Sequence, residues 1–212
     1  MTGFAGAFET HLTVWAEGTA RLDDLRAWAE ARGLKFHLIV LDRGLTPAQP
    51  MVTRRGRGNL NGELAAAADL TSRLAADGYT VSRLKIEAAP DNEGVPATDA
   101  DAASQPGRYF EHHVKLLLDP NADLGAVTAL AVRHAARLSR NARRARADGR
   151  AERFVTQRCH AIGRVTARGR LDALLTDLAV GGYAILSAEQ EYVIHDTAPG
   201  VDAGWLDHGG AT

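Results

Sequence analysis

Phe8-Glu9-Thr10-His11-Leu12-Thr13-Val14 alternates strictly along the chain, and Phe110-Glu111-His112-His113-Val114-Lys115-Leu116 repeats its opening about halfway on. The echo continues in order. Val52-Thr53-Arg54-Arg55 returns as Val155-Thr156-Gln157-Arg158, and Gly78-Tyr79 returns as Gly182-Tyr183, each closing a stretch rich in leucine and alanine. The spacing lengthens by a single residue at each step. Matches in one order with so little drift read as a duplicated unit with small loop adjustments.

Around that repeat the first half reads as a series of short elements. Ala7 to Trp15 alternates as a strand, and Leu22, Leu25, Trp28 and Ala29 stand at helical spacing before Gly33. Leu34 to Leu41 is an apolar strand. The stretch 44–50 is expected to be a loop, because two prolines deny backbone donors. Met51 to Gly56 is a third strand, and Asn61 is the expected N-cap of a helix running to Asp77. Tyr79 to Glu87 is a fourth strand, which gives the order βαββαβ. Residues 88–107 have almost no bulky apolar side chain and read as a linker.

The second half repeats the pattern less cleanly. A strand over Arg108 to Leu118 precedes a helix from about Ala122 to Leu138. The arginine- and alanine-rich stretch 139–150 fits a short strand, a helix extension or a loop. Glu152 to Ile162, Ala167 to Val180 and Tyr183 to His195 then give strand, helix and strand. Expected units are 1–87 and 108–196, followed by a glycine-rich tail, 197–212, from which Trp205 and Leu206 are expected to dock.

A βαββαβ unit is the ferredoxin-like motif, an antiparallel sheet with both helices on one face. The chain therefore resembles a tandem ferredoxin-like α+β protein, and the resemblance implies two units related by pseudo-twofold symmetry. It implies little about chemistry, since the motif hosts many functions. The open sheet faces could meet back to back around a pocket, or the sheets could join edge to edge.

Strand parity picks out the candidate residues. Glu9, His11 and Thr13 share one face, opposite Phe8, Leu12 and Val14; Glu111, His113 and Lys115 share the matching face. If Val52 and Val155 turn to the helices, then Thr53, Arg55, Thr156 and Arg158 join the Glu/His set, with Glu87 and Glu191 on the fourth strands. Three readings fit. His11, His113, Glu9 and Glu111 could ligate a divalent metal. They could instead form a metal-free pocket, with each Glu orienting its His for acid–base work and Arg55 and Arg158 clamping a small anionic substrate beside Thr53 and Thr156. Or they could form a structural network in a non-catalytic binding or interaction protein.

His11-Leu12-Thr13-Val14 also resembles the H-x-[ST]-x element of 2H phosphoesterases, which implies phosphodiester chemistry. The second element, His113-Val114-Lys115-Leu116, has lysine at the hydroxyl position.

Composition bounds these readings. Hydrophobic residues make up 45% of the 212 and charged ones 24%, so each half can bury a core. Cys159 stands alone, the opening residues lack a signal-peptide pattern, and no run approaches a membrane span, so a cytoplasmic location without membrane contact is expected. Between Arg133 and Arg170 twelve arginines face only Asp148 and Glu152. The stripe Arg133, Arg137, Arg140, Arg144 has helical spacing and could grip nucleic-acid phosphates, although aromatic interleaving is nearly absent.

Overall fold

In the computed structural model, which describes residues 3–142 and 147–206, Phe8, Leu12 and Val14 turn one face of the first strand into the hydrophobic core. That strand, β1 (Ala5–Trp15), is followed by α1 (Thr19–Glu30), β2 (Lys35–Leu41), β3 (Ala48–Asn59), α2 (Leu60–Ala76) and β4 (Thr80–Ala88). A short helix, α3 (Asp99–Ala103), lies between the halves. The second half then runs β5 (Tyr109–Leu118), α4 (Leu124–Arg133), β6 (Ala136–Asn141), β7 (Ala151–His160), α5 (Arg164–Val180) and β8 (Ala184–Asp196), and a 3₁₀ turn, Pro199–Asp202, follows. The chain is α+β, with an eight-stranded antiparallel sheet and five α-helices among the described residues.

The sheet closes on itself in the order β1-β3-β2-β6-β7-β5-β8-β4. Within each half the order is that expected of βαββαβ, with β1 between β3 and β4 and β5 between β7 and β8. The halves meet edge to edge twice, at β2–β6 and at β4–β8. Two such seams remove every free edge and curl the open faces toward one another. The open faces therefore enclose a lumen.

Helices cover the outside. Leu25, Trp28 and Ala29 of α1 and Leu70 and Leu74 of α2 pack on Leu12, Val14 and Val52. Val127, Leu130 and Ala131 of α4 and Leu171, Leu174 and Leu178 of α5 pack on Val114, Leu116 and Val155. A third cluster, containing Phe8, Ile86, Phe110 and Tyr192, joins the halves at the β4–β8 seam. Where the apolar face carries a polar residue, a partner is supplied: Thr10 donates to Glu63 of α2, and His112 Nδ1 lies 2.8 Å from Gln157 Oε1.

Several local expectations need correction. The helix expected to reach Leu138 stops at Arg133, Ala135 turns the chain with φ of 53°, and 136–141 is strand β6. Arg133, Arg137 and Arg140 thus do not share a helix face, and Arg144 lies outside the described residues. Asn59, not Asn61, caps α2, its side chain accepting from the Gly62 N–H at 2.9 Å. Strand β3 begins at Ala48, so Pro50 is in the ladder opposite Leu38; it lies beyond the last β1 partner of β3, Met51, where its missing N–H leaves no β1 bond unmade. Residues 88–107 are also structured, since Thr98 forms a capping box with Asp101 on α3, and Asp99 accepts from the Gly163 N–H that starts α5.

Candidate functional site

Alternation along β1, β3, β4, β5, β7 and β8 sends polar side chains inward, where they line a cavity of about 270 Å³. Glu9, His11, Arg55, Glu111, His113, Thr156 and Arg158 all line it, while Thr53 stands directly opposite His11 in the β1–β3 ladder. The sequence-derived set is therefore brought to one lumen. How its members pair differs from expectation.

His11 is held by neighbouring strands and not by its own. Its Nδ1 lies 2.8 Å from Thr53 Oγ1 and its Nε2 2.7 Å from Glu87 Oε2. Glu9, two residues away on β1, is displaced by roughly 7 Å along the strand and points parallel to His11. It accepts instead from Arg55 at 3.0 Å. Glu87 pairs with Glu9 in the β1–β4 register, which makes it the diagonal neighbour of His11, and the diagonal is the contact that forms. The orienting carboxylate of His11 is thus Glu87, not Glu9. With Glu87 ionised, the His11 Nε2–H donates to it, while Nδ1 meets the Thr53 hydroxyl.

His113 repeats half of this arrangement. Its Nδ1 lies 3.2 Å from Thr156 Oγ1, across the β5–β7 ladder. Its Nε2 stands 3.7 Å from Glu191 and 4.0 Å from Glu111, both beyond hydrogen-bond reach. The His113 side chain is 26% exposed, against 12% for His11, and both line the cavity.

Buried cations set the charge states. Lys85 Nζ lies 2.6 Å from Glu87 Oε1 and 3.1 Å from Glu111 Oε2, reaching past β8 to do so. Burial alone would raise the Glu87 carboxyl, but Lys85, His11 and His113 outweigh it and hold it well below the usual carboxylate range. Burial likewise opposes ionisation of Glu111, yet Arg158 and Lys85 bring it down to about 2. Glu191 goes the other way: burial, and then the charge and hydrogen bond of Glu87, push its carboxyl well above the ordinary value. Burial also lowers His113, opposing the pull of Glu111 and Glu87, and favours its neutral ring. A carboxyl whose ionisation is favoured beside one whose ionisation is opposed is the arrangement that separates base from acid.

Arg158, expected to clamp a substrate, is engaged by Glu111 at 3.4 Å and by Asp202, and Arg55 by Glu9. Lys115 stands 3.6 Å from Glu152 and over the ring of Phe154. For a metal, the donor atoms among the described residues that lie within 4.8 Å of one another belong to Glu87, His113 and Glu191. His11, Glu9 and Glu111, expected as ligands, are outside that group.

Sequence reading passed over three contributors. Lys85 and Arg83 carry alternation that could have marked them as inward-facing, but lysine and arginine on a strand are ordinarily solvated. Asp202 carries no local signal at all, because its partners belong to β3, β4 and β7.

Comparison with known proteins adds little to this geometry. No protein-family model and no curated protein matches the chain. A solved structure described as that of a provisionally assigned chlorite dismutase is similar over 95% of this chain and 100% of its own, with 14% identity and a TM-score of 0.28. No helix among the described residues is long and apolar enough to cross a membrane.

Proposed function

We propose that the lumen is the active site of a small-molecule enzyme working by general acid–base catalysis on an anionic substrate, in proton transfer or hydrolysis. His113 is the base and Glu191 the acid, while His11, fixed by Thr53 and Glu87, positions the substrate beside them. The observation that carries this reading is the placing of both histidines on one cavity, with Glu87, whose ionisation is favoured, and Glu191, whose ionisation is opposed, beside them. Lys35 lines the same cavity and supplies positive charge for an anion, next to Arg55 and Lys115, which Glu9 and Glu152 already engage. The two βαββαβ units, 1–87 and 108–196, are read as copies of one duplicated unit.

A divalent cation on Glu87, His113 and Glu191 is the second reading, favoured by the convergence of their donor atoms. Lys85 weighs against it, because its ammonium already neutralises Glu87 at 2.6 Å. The test is a screen of small anionic esters and keto acids with unmodified protein and with His113→Gln and Glu191→Gln. Activity that disappears in both variants, while neither melting temperature falls appreciably below that of the parent, supports the proposal. Activity unchanged by either substitution, or no turnover together with a loss of stability alone, overturns it in favour of a structural network. Loss of turnover on chelation would transfer the chemistry to the cation.

A further inference from the structure

Asp202 reaches into the barrel from outside the sheet. Its Oδ1 accepts from Gln49 Nε2 at 3.0 Å, and its Oδ2 from Arg83 Nη1 at 2.9 Å and from Arg158 Nη2. These donors stand on β3, β4 and β7, which are not neighbours: β1 separates the first two, and β8 and β5 separate β4 from β7. A single carboxylate touches all three only from within the lumen. Asp202 is 1% exposed, and Gln49, Arg83 and Arg158 are buried.

We propose that Gln49, Arg83 and Arg158 form a carboxylate-binding subsite of the lumen, which the chain's own Asp202 fills and which a small-molecule carboxylate takes over when the C-terminal turn lifts away. The proposal rests on the lumen being the ligand site. Two guanidinium groups and one amide converging on a carboxylate make charge-assisted bonds of the kind that select that group.

Departure of Asp202 strands no buried cation. Arg83 keeps Asp196, at 2.9 and 2.6 Å; Arg158 keeps Glu111 at 3.4 Å; and the Gln49 amide keeps the Thr46 carbonyl at 3.3 Å. The usual penalty for breaking a buried pair, an uncompensated charge, is therefore reduced. The contacts that hold the turn are separate from those of the main core. Trp205 and Leu206 pack on Leu41 as a cluster apart from the main core, with Trp205 Nε1 donating to the Leu138 carbonyl at 2.9 Å. Arg43 donates to the Gly204 carbonyl, and the Leu45 N–H to that of Ala203. Asp202 and Trp205 both line the cavity, so lifting the turn enlarges the lumen on the side of Arg158 and Glu111.

The test uses the full chain with acetate and malonate as probes and chloride at matched ionic strength as control. Asp202→Ala is expected to bind acetate about tenfold more tightly than the unmodified protein, since one carboxylate no longer competes for charge-assisted bonds. Acetate, and not chloride, is expected to recover its melting temperature. In the unmodified protein, saturating malonate is expected to speed hydrogen exchange of the amides of residues 203–206. Equal acetate affinity in both proteins, recovery by chloride, or unchanged exchange at 203–206 overturns the proposal. Should Asp202→Ala fail to fold, Asp202→Asn and the exchange measurement decide it. Neither readout requires turnover, so failure here is distinct from failure of the acid–base reading, which is judged on the activity of His113→Gln.

Discussion

Lys85→Met is the perturbation that most directly interrogates the lumen. The substitution keeps an unbranched side chain of similar length and removes only the charge. In the parent, Lys85 lies between Glu87 and Glu111, with its Nζ at 2.6 and 3.1 Å, and all three side chains are at most 10% exposed. Removing one partner of a buried ion pair costs roughly 3–5 kcal/mol, because the remaining charge is left uncompensated. Glu111 retains Arg158 and Glu87 retains His11, so the lower end, about 3 kcal/mol at neutral pH, is expected. For a chain of this size that corresponds to a fall of about 6–12 °C in melting temperature.

The pH dependence gives the sharper test. Both carboxyls are depressed in the folded state, so their contribution is present above the unfolded glutamate value near 4.3 and is lost as pH falls through their folded values. Lys85 is a principal cause of that depression. The stability gap between Lys85→Met and parent should therefore be widest at neutral pH and narrow as the pH falls below about 4.3 toward about 2. Urea unfolding of both proteins across that range measures it. A gap under about 1 kcal/mol at pH 7, or one that stays constant or widens in acid, would refute the view that Lys85 maintains two buried carboxylates in their ionised form.

Further outcomes follow from the same geometry. Glu191 has a raised folded value, so below about pH 4.3 it is protonated in folded and unfolded chains alike, and above that the unfolded chain ionises while the fold resists. Glu191→Gln should leave thermal stability unchanged near pH 4 and raise it near pH 8; a loss at pH 8 would show that the ionised carboxylate is the stabilising form. A Cβ at Gly163 would stand 2.3 Å from the Thr98 carbonyl carbon, a backbone atom that cannot swing aside. Gly163→Ala should cost about 1–3 kcal/mol of unfolding free energy by overpacking, and a neutral result would mean that α3 does not clasp the start of α5. Leu174, fully buried between α5 and the second sheet, should lose about 2–5 kcal/mol on truncation to alanine in the same assay.

Much of the barrel could be read in advance from patterning. Strict alternation in β1 and β5 fixes which side chains share a face, and the buried valines at 52 and 155 confirm that Thr53, Arg55, Thr156 and Arg158 turn the other way. Where reading failed, the deciding interaction was not local. Strand β6 was obscured by an arginine-rich sequence that suits a helix equally well, and only pairing with β2 and β7 makes it a strand. Asn61 looked like a cap because it is an asparagine before a helix, as is Asn59 two residues earlier.

The sequence alone determines the order βαββαβ in the first half and all but the second strand of the second half, and with it the inward set of glutamates and histidines, since side-chain direction in a strand depends only on a period of two. Which of those side chains meet is decided by the tertiary structure. Register makes Glu87, and not Glu9, the partner of His11, because side chains on adjacent strands can lean across the ladder to meet, whereas Glu9 points parallel to His11 and is engaged by Arg55. Closure through the β2–β6 and β4–β8 seams turns two half-sites into one lumen, where Lys85 spans to Glu111 and Asp202 enters from the tail. Ionisation states follow from that enclosure, for burial and the proximity of opposite charges exist only once the barrel is shut.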